Sequence, residues 1–178
     1  NSPAVVDFLL RHKADVDTRA TVNDWGNQIT SEPRAQYRPT GGLTALLYAT
    51  RNGCIDCAKS LLKAGADINR PTPDGITPLM NAIDNLQFDM ANFLLDQGAN
   101  PHLAVWWGRT ALYVAIDMRT YSSRFQQGAG NLPAEGKAPL ELKAALELAQ
   151  RLLNMGANPN TQLTSHRPGR GGNTGRFT

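Results

Sequence analysis

Cys54 and Cys57, in the run Gly53-Cys54-Ile55-Asp56-Cys57, are the only cysteines of the chain and stand where a helix is expected to begin. The partial positive charge at a helix N-terminus lowers a thiol pKa, and redox proteins activate Cys-x-x-Cys pairs in this way. Here no strand precedes the motif as it would in a thioredoxin-like βαβ unit, and Cys57 falls where other segments carry Met90 and Val5, in a core position. The pair therefore reads as packing, with a redox or metal role as the alternative, and two cysteines are too few for a disulfide scaffold. A zinc site needs four ligands, or three and a water; beyond the cysteines there are only His12, His102 and His166, in separate segments. None of Ser2, Ser31, Ser60, Ser122, Ser123 and Ser165 lies in a Gly-x-Ser-x-Gly elbow. Gly169-Arg170-Gly171-Gly172-Asn173 lacks the lysine of a phosphate-binding loop. The reading is a protein with no catalytic residues, no cofactor and no metal.

The elements that would position any site are periodic. Gly42, Gly75 and Gly108 stand 33 residues apart, and so do Thr44, Thr77 and Thr110, then Leu46, Leu79 and Leu112, then Ala49, Ala82 and Ala115. Columns in register at this period mean a stack of supersecondary units, each too small to bury its own apolar face. Each threonine suits an N-cap, its hydroxyl accepting from an orphan N–H of the first turn. Pro78 suits the first helical position, where a missing N–H costs nothing. The alanines let neighbouring first helices approach. Val5, Val6, Leu9 and Leu10, then Cys57, Ala58, Leu61 and Leu62, follow the spacing of a buried helical face.

These residues resemble the ankyrin-repeat family, whose Gly-x-Thr-Pro-Leu-His-x-Ala helix start and Leu-Leu-x-x-Gly-Ala-Asp/Asn helix end are matched by Gly75 to Ala82 and Leu94 to Asn100. The insertions described below also look similar to those of bacterial multi-ankyrin proteins. The resemblance implies an all-α solenoid of helix-turn-helix units with β-hairpin finger loops. It further implies a non-catalytic, monomeric module that binds a protein partner through its concave side. The family's binding positions map onto Arg51 and Asn52, then Asp74, Ile76, Asp84 and Asn85, then Trp106, Trp107, Arg109, Asp117 and Met118. The alternative is a purely structural segment of a longer array. Two departures matter. The family's histidine is Leu47, Met80 and Tyr113 here, so its hydrogen-bond network between repeats is expected to be absent or replaced by apolar packing. The glycine between the two helices becomes Leu86, so the turn is expected to shift onto Asn85, which tolerates positive φ better.

Taken in order, residues 1–17 read as the second helix of a partial repeat, and a chain opening there on Asn1 reads as a piece of something longer. Lys13 replaces the helix-ending glycine found at Gly65, Gly98 and Gly156, at a cost of roughly 1 kcal/mol if the left-handed geometry is kept. Leu9 to Gly42 spans 33 residues where Leu61 to Gly75 spans 14, so nineteen extra residues lie within an inserted loop over 18–41, with Trp25, Ile29 and Tyr37 as its anchors. Repeats follow over 42–73 and 74–105. A third, 106–162, is interrupted: Thr110 to Leu152 spans 42 residues against 17 from Thr77 to Leu94, which places an insertion around 118–140. Residues 163–178 are a Gly- and Arg-rich tail or a truncated insertion.

Trp106 and Trp107 replace Pro73 and Asp74 at a finger tip, where large rigid amphipathic side chains suit an interface; equally, one of them could cover the insertion beside it. The chain has 178 residues, 41% of them apolar, and a formal charge of +3. Arg167, Arg170 and Arg176 carry that excess, so the body is neutral and lacks the basic face that marks nucleic-acid binders. No apolar run approaches the roughly 20 residues of a membrane span. The expectation is a soluble chain, cytoplasmic or, had a signal peptide been removed, periplasmic.

Overall fold

In the computed structural model, residues 2–23, 40–105, 108–117 and 137–162 are described. Among them α1 (Pro3–Arg11) is followed by β1 (Val22–Asn23) and β2 (Thr40–Gly41). Two helix pairs come next: α2 (Ala45–Arg51) with α3 (Ile55–Lys63), and α4 (Pro78–Asp84) with α5 (Phe88–Asp96). A helix over 111–117, α6, and α7 (Lys137–Asn154) complete the order. Packing is between neighbours: α1 against α3, α2 against α3 and α4, α4 against α5, and α5 against α7. This is an all-α solenoid.

The first helices start alike because their threonines act alike. Thr44, Thr77 and Thr110 accept the backbone N–H of Leu47, Met80 and Tyr113 at 3.4, 3.3 and 3.3 Å, which satisfies one orphan donor in each helix. Leu46, Leu79 and Leu112, with Ala49, Ala82 and Ala115, are buried in one continuous core. From the second helices Cys57, Ala58 and Leu61, then Met90, Ala91 and Leu94, then Leu148, Ala149 and Leu152 enter the same core.

Helix exits recur as well. Gly65, Gly98 and Gly156 have positive φ, and Lys13 adopts it in their place with φ 61°. Beyond each exit a side chain tightens the next turn: Asp15, Asp67, Asn100 and Asn158 accept the N–H two residues on at 3.0, 2.9, 2.9 and 2.9 Å. At Asp15 that bond from Asp17, helped by the Thr18 hydroxyl, holds the carboxyl below the usual carboxylate range. Asn69 links two such turns by accepting the N–H of Asn100 at 2.8 Å.

Three sequence expectations need correction. The turn after α4 does not shift: Leu86 itself takes φ 58° while Asn85 stays at −105°. The polar network between repeats is present, moved one position along from the family's histidine. Asn81 donates from Nδ2 to the Leu47 carbonyl at 2.8 Å and to Thr50 Oγ1 at 2.9 Å, and Thr50 donates to the same carbonyl. Finally, no residue of α1 is buried. Val6 and Leu10 pack on the core, but Val5 and Leu9 are 55% and 49% exposed although their counterparts Met90 and Leu94 are sealed. In inner repeats those positions face the first helix of the same repeat, and among the described residues no such helix stands beside α1.

Exposure of apolar residues elsewhere obeys the same rule. Thr50 and Ile83 are fully buried by the repeat that follows; Ile116, in the same column, is 54% exposed in the last described repeat. Truncating Ile83→Ala is expected to lower stability by about 2–5 kcal/mol, and Ile116→Ala by under about 1 kcal/mol, in urea unfolding. Similar losses at both would show that the last repeat is covered. Leu86→Gly relieves a left-handed leucine at a partly solvated site and is expected to raise stability by about 1 kcal/mol in the same assay.

Candidate functional site

The fingers and the C-terminal ends of the first helices carry most of the residues marked out by sequence. In the middle finger, Thr72 N–H donates to the Ile76 carbonyl and Gly75 N–H to the Thr72 carbonyl, both at 2.8 Å. The Thr72 hydroxyl donates to Asp74 Oδ1 and accepts from Ile76 N–H, so this tip is closed on itself. Asp74 is consequently only 9% exposed, and Ile76 packs partly against the core. The last finger repeats the frame: Val105 N–H donates to the Arg109 carbonyl, Gly108 N–H to the Val105 carbonyl, and Ala104 bridges Thr110. Trp106 and Trp107 fall between Val105 and Gly108 in sequence but outside the described residues, as does Met118.

In the first finger, β1 and β2 pair antiparallel, Val22 opposite Gly41 and Asn23 opposite Thr40, while Ala20 N–H donates to the Leu43 carbonyl and Gly42 N–H to the Thr21 carbonyl. The extra residues counted between Leu9 and Gly42 thus enter between the two arms of a finger. Trp25, Ile29 and Tyr37 lie outside the described residues. Gly42 is required here, since at φ 62° a Cβ would stand 2.6 Å from Pro73 Cγ and 2.9 Å from Val22 Cγ2. Arg19 fastens the base of this finger to the next, donating to the carbonyls of Gly42 at 2.9 Å and Pro71 at 2.7 Å.

On the helix ends the structure separates two kinds of candidate. Arg51 and Asn52 are exposed. Asp84, Asn85 and Asp117 are half-buried. Arg109, expected as a partner-binding position, is 8% exposed and lies across the inner helices, forking onto both carboxylate oxygens of Asp84 at 2.9 and 2.5 Å. Such a bidentate pair combines charge with fixed geometry, and it joins the start of α6 to the end of α4. Asn85 donates to the Asn81 carbonyl and so extends the inter-repeat network. Beyond Asp117, a cleft of about 220 Å³ opens between α6 and the turn after α7, lined by Tyr113, Ile116, Asp117, Asn158 and Pro159 among others.

The cysteines form a site that sequence reading left as packing. Cys57 is buried as expected, but its sulfur is bonded to that of Cys54, with Cα atoms 5.3 Å apart. The Cys-x-x-Cys spacing at a helix start was the available signal. Among the described residues no three His, Cys, Asp or Glu side chains cluster to hold a metal, and no helix is long and apolar enough to cross a membrane.

Helix-turn-helix units, hairpin fingers and threonine-capped first helices in one stack define a repeat module. Residues 1–105 match the family model described as ankyrin repeats in three copies, and the chain belongs to the ankyrin-repeat family. Ankyrin repeats are generally non-catalytic and generally serve protein–protein interaction. Similar curated proteins are the BCL-6 corepressor-like protein 1 of Homo sapiens and that of Mus musculus, each 37% identical over 79 residues, which is 44% of this chain and 4% of the relative. The chain thus matches only a small part of those proteins' length.

The separation between paired and open candidates is testable without a partner. Asp84→Ala removes the two carboxylate bonds to the buried Arg109 guanidinium and is expected to lower stability by about 2–3 kcal/mol, as removal of a charged hydrogen-bond partner does. Arg51→Ala, which breaks no ion pair among the described residues, should stay within about 0.5 kcal/mol. Denaturant unfolding of the two variants decides.

Proposed function

We propose that the chain binds a protein partner along the strip formed by its fingers and first-helix ends. The observation that supports this is that Arg51, Asn52, Asp84, Asn85 and Asp117, in two adjacent columns, keep access to solvent in every described repeat. The apolar columns beside them are sealed wherever a neighbouring repeat is present. Asp74 and Ile76 shape the finger that borders the strip, while Asp84 and Arg109 hold the inner helices in register and present one shared, charge-compensated edge. Trp106, Trp107 and Met118 belong to the proposed surface by their place in the repeat. Two tryptophans would supply the rigid aromatic anchors that carry most of an interface's energy.

The relatives are named as corepressor-like proteins. With 4% of their length matched, what carries over to the proposal is the shared module, not a transcriptional partner. The finger insertion, as in bacterial multi-ankyrin proteins, is a further proposed source of contact surface.

A second reading is favoured by one observation: Tyr48 at one end of the first helices is 45% exposed and Ile116 at the other 54%, although both columns are shielded in the middle of the stack. Faces of this kind accept further repeats, and the chain would then serve to extend an array.

Partner capture from the full-length protein, followed by affinity measurement on variants, tests the first reading. Truncating Trp106 and Trp107 to alanine in a chain that still folds is expected to weaken binding by at least about 2 kcal/mol, and Arg51→Ala to act mainly on the association rate and its salt dependence. A folded chain carrying both tryptophan truncations and Arg51→Ala, bound as tightly as the wild type, would remove the strip from the interface.

A further inference from the structure

The second helices α3 and α5 begin from a similar backbone, and of these two starts only that of α3 is cross-linked. Gln87 caps α5 at φ −90°, ψ 66°, and Cys54 caps α3 at φ −79°, ψ 83°; neither side chain makes a capping hydrogen bond. Three residues on, Met90 and Cys57 occupy the same core position, 1% and 3% exposed. The turn and the helix start therefore form in α5 without a covalent bond. A bonded sulfur pair in α3 is something that the repeat does not need for folding.

Its two sulfurs are also inequivalent. Cys57 lies in the core, while Cys54 is half-buried at the helix entrance, directly after Asn52 and Gly53. Among the charged groups nearby on α3, Asp56 is paired with Lys59 at 3.1 Å and points to solvent. The first turn of α3 offers orphan N–H groups that stabilise a thiolate. Reduced Cys57 would remain as a small apolar core residue.

We propose that Cys54–Cys57 is a thiol–disulfide exchange site, entered at Cys54, whose redox state sets how firmly the α2–α3 turn is held. A dithiol reductant supplies the electrons. One of its thiolates attacks Cys54 Sγ, the Sγ–Sγ bond breaks, and Cys57 leaves as a thiolate that takes up a proton. The second reductant thiol then attacks its own sulfur in the mixed disulfide and releases Cys54, so that two electrons and two protons pass to the pair and the dithiol becomes a cyclic disulfide. An oxidised dithiol reverses the sequence. The turn affected is the one held by Asn52 N–H to Tyr48, Gly53 N–H to Thr50 and Cys54 N–H to Ala49, and it carries Arg51 and Asn52. The exchange chemistry is independent of partner binding.

The test equilibrates the folded full chain with mixtures of reduced and oxidised dithiothreitol, followed by acid quench, alkylation and mass measurement. Two thiols are expected to appear and disappear together while the helical circular dichroism persists, and amide exchange at residues 52–54 should be at least threefold faster in the reduced form with residues 81–95 unchanged. Cys57→Ser, leaving Cys54 alone, should react with a small aromatic disulfide more than tenfold faster than Cys54→Ser. Reduction only in denaturant would overturn the proposal, as would unchanged exchange in the turn. The wild-type measurements decide even where a serine variant fails to fold.

Discussion

Neighbouring first helices lie against one another through alanine. Ala49, Ala82 and Ala115 sit at the centre of the contact with at most 5% exposure, and the distance between packed helices is set by the side chains at the point of contact. With a methyl group there, Leu46, Leu79 and Leu112 can interlock on either side. The threonine caps then come into register, and each finger starts at the same height on its helix. A short polar side chain such as Asn81 can reach the Leu47 carbonyl of the previous repeat only because that spacing is small.

Upon this uniform apolar contact the junctions between repeats add polar links, most of which differ from one junction to the next. Arg19 clamps the first finger to the loop before the second, and Asn81 joins α4 to α2. Arg109 ties α6 to α4, and Arg151 of α7 reaches Asn92 and Asp96 of α5. In a stack whose stability is a sum of repeat and nearest-neighbour terms, such links make each junction individually strong or weak without altering the period. They also satisfy polar groups that close packing would otherwise bury unpaired.

How much of this was legible depended on whether a feature recurs. Thr44, Thr77 and Thr110 recur, and their caps were read correctly from spacing alone. Asn81 does not recur: its column holds Tyr48 and Val114, so no polar signal stood out, and the family's histidine drew the expectation to the adjacent column. Arg109 and Asp84 are 25 residues apart, a separation that is no multiple of the repeat, and both were read as surface positions because the family's binding positions map onto them. Periodicity identified the apolar face of α1 but carries no information on whether another element covers it. The Cys54–Cys57 bond needed the rotation of one helical turn as well as the spacing. Leu86 was misjudged for a physical reason: the preference of Asn85 for positive φ is a fraction of what the surrounding helices enforce.

The first finger gives the chain an unusual freedom. Its arms are pinned at Ala20 to Leu43 and at Thr21 to Gly42, which gives the sequence running between them a fixed base. The entropy of closing a chain segment on a fixed base rises only with the logarithm of its length, and each doubling adds about 0.6 kcal/mol. A sequence can therefore grow, shrink or be exchanged at that tip over generations while the repeat count, the caps and the helix spacing are conserved. One of the two places where the periodicity of the chain breaks is thus a place where the molecule can accommodate novelty.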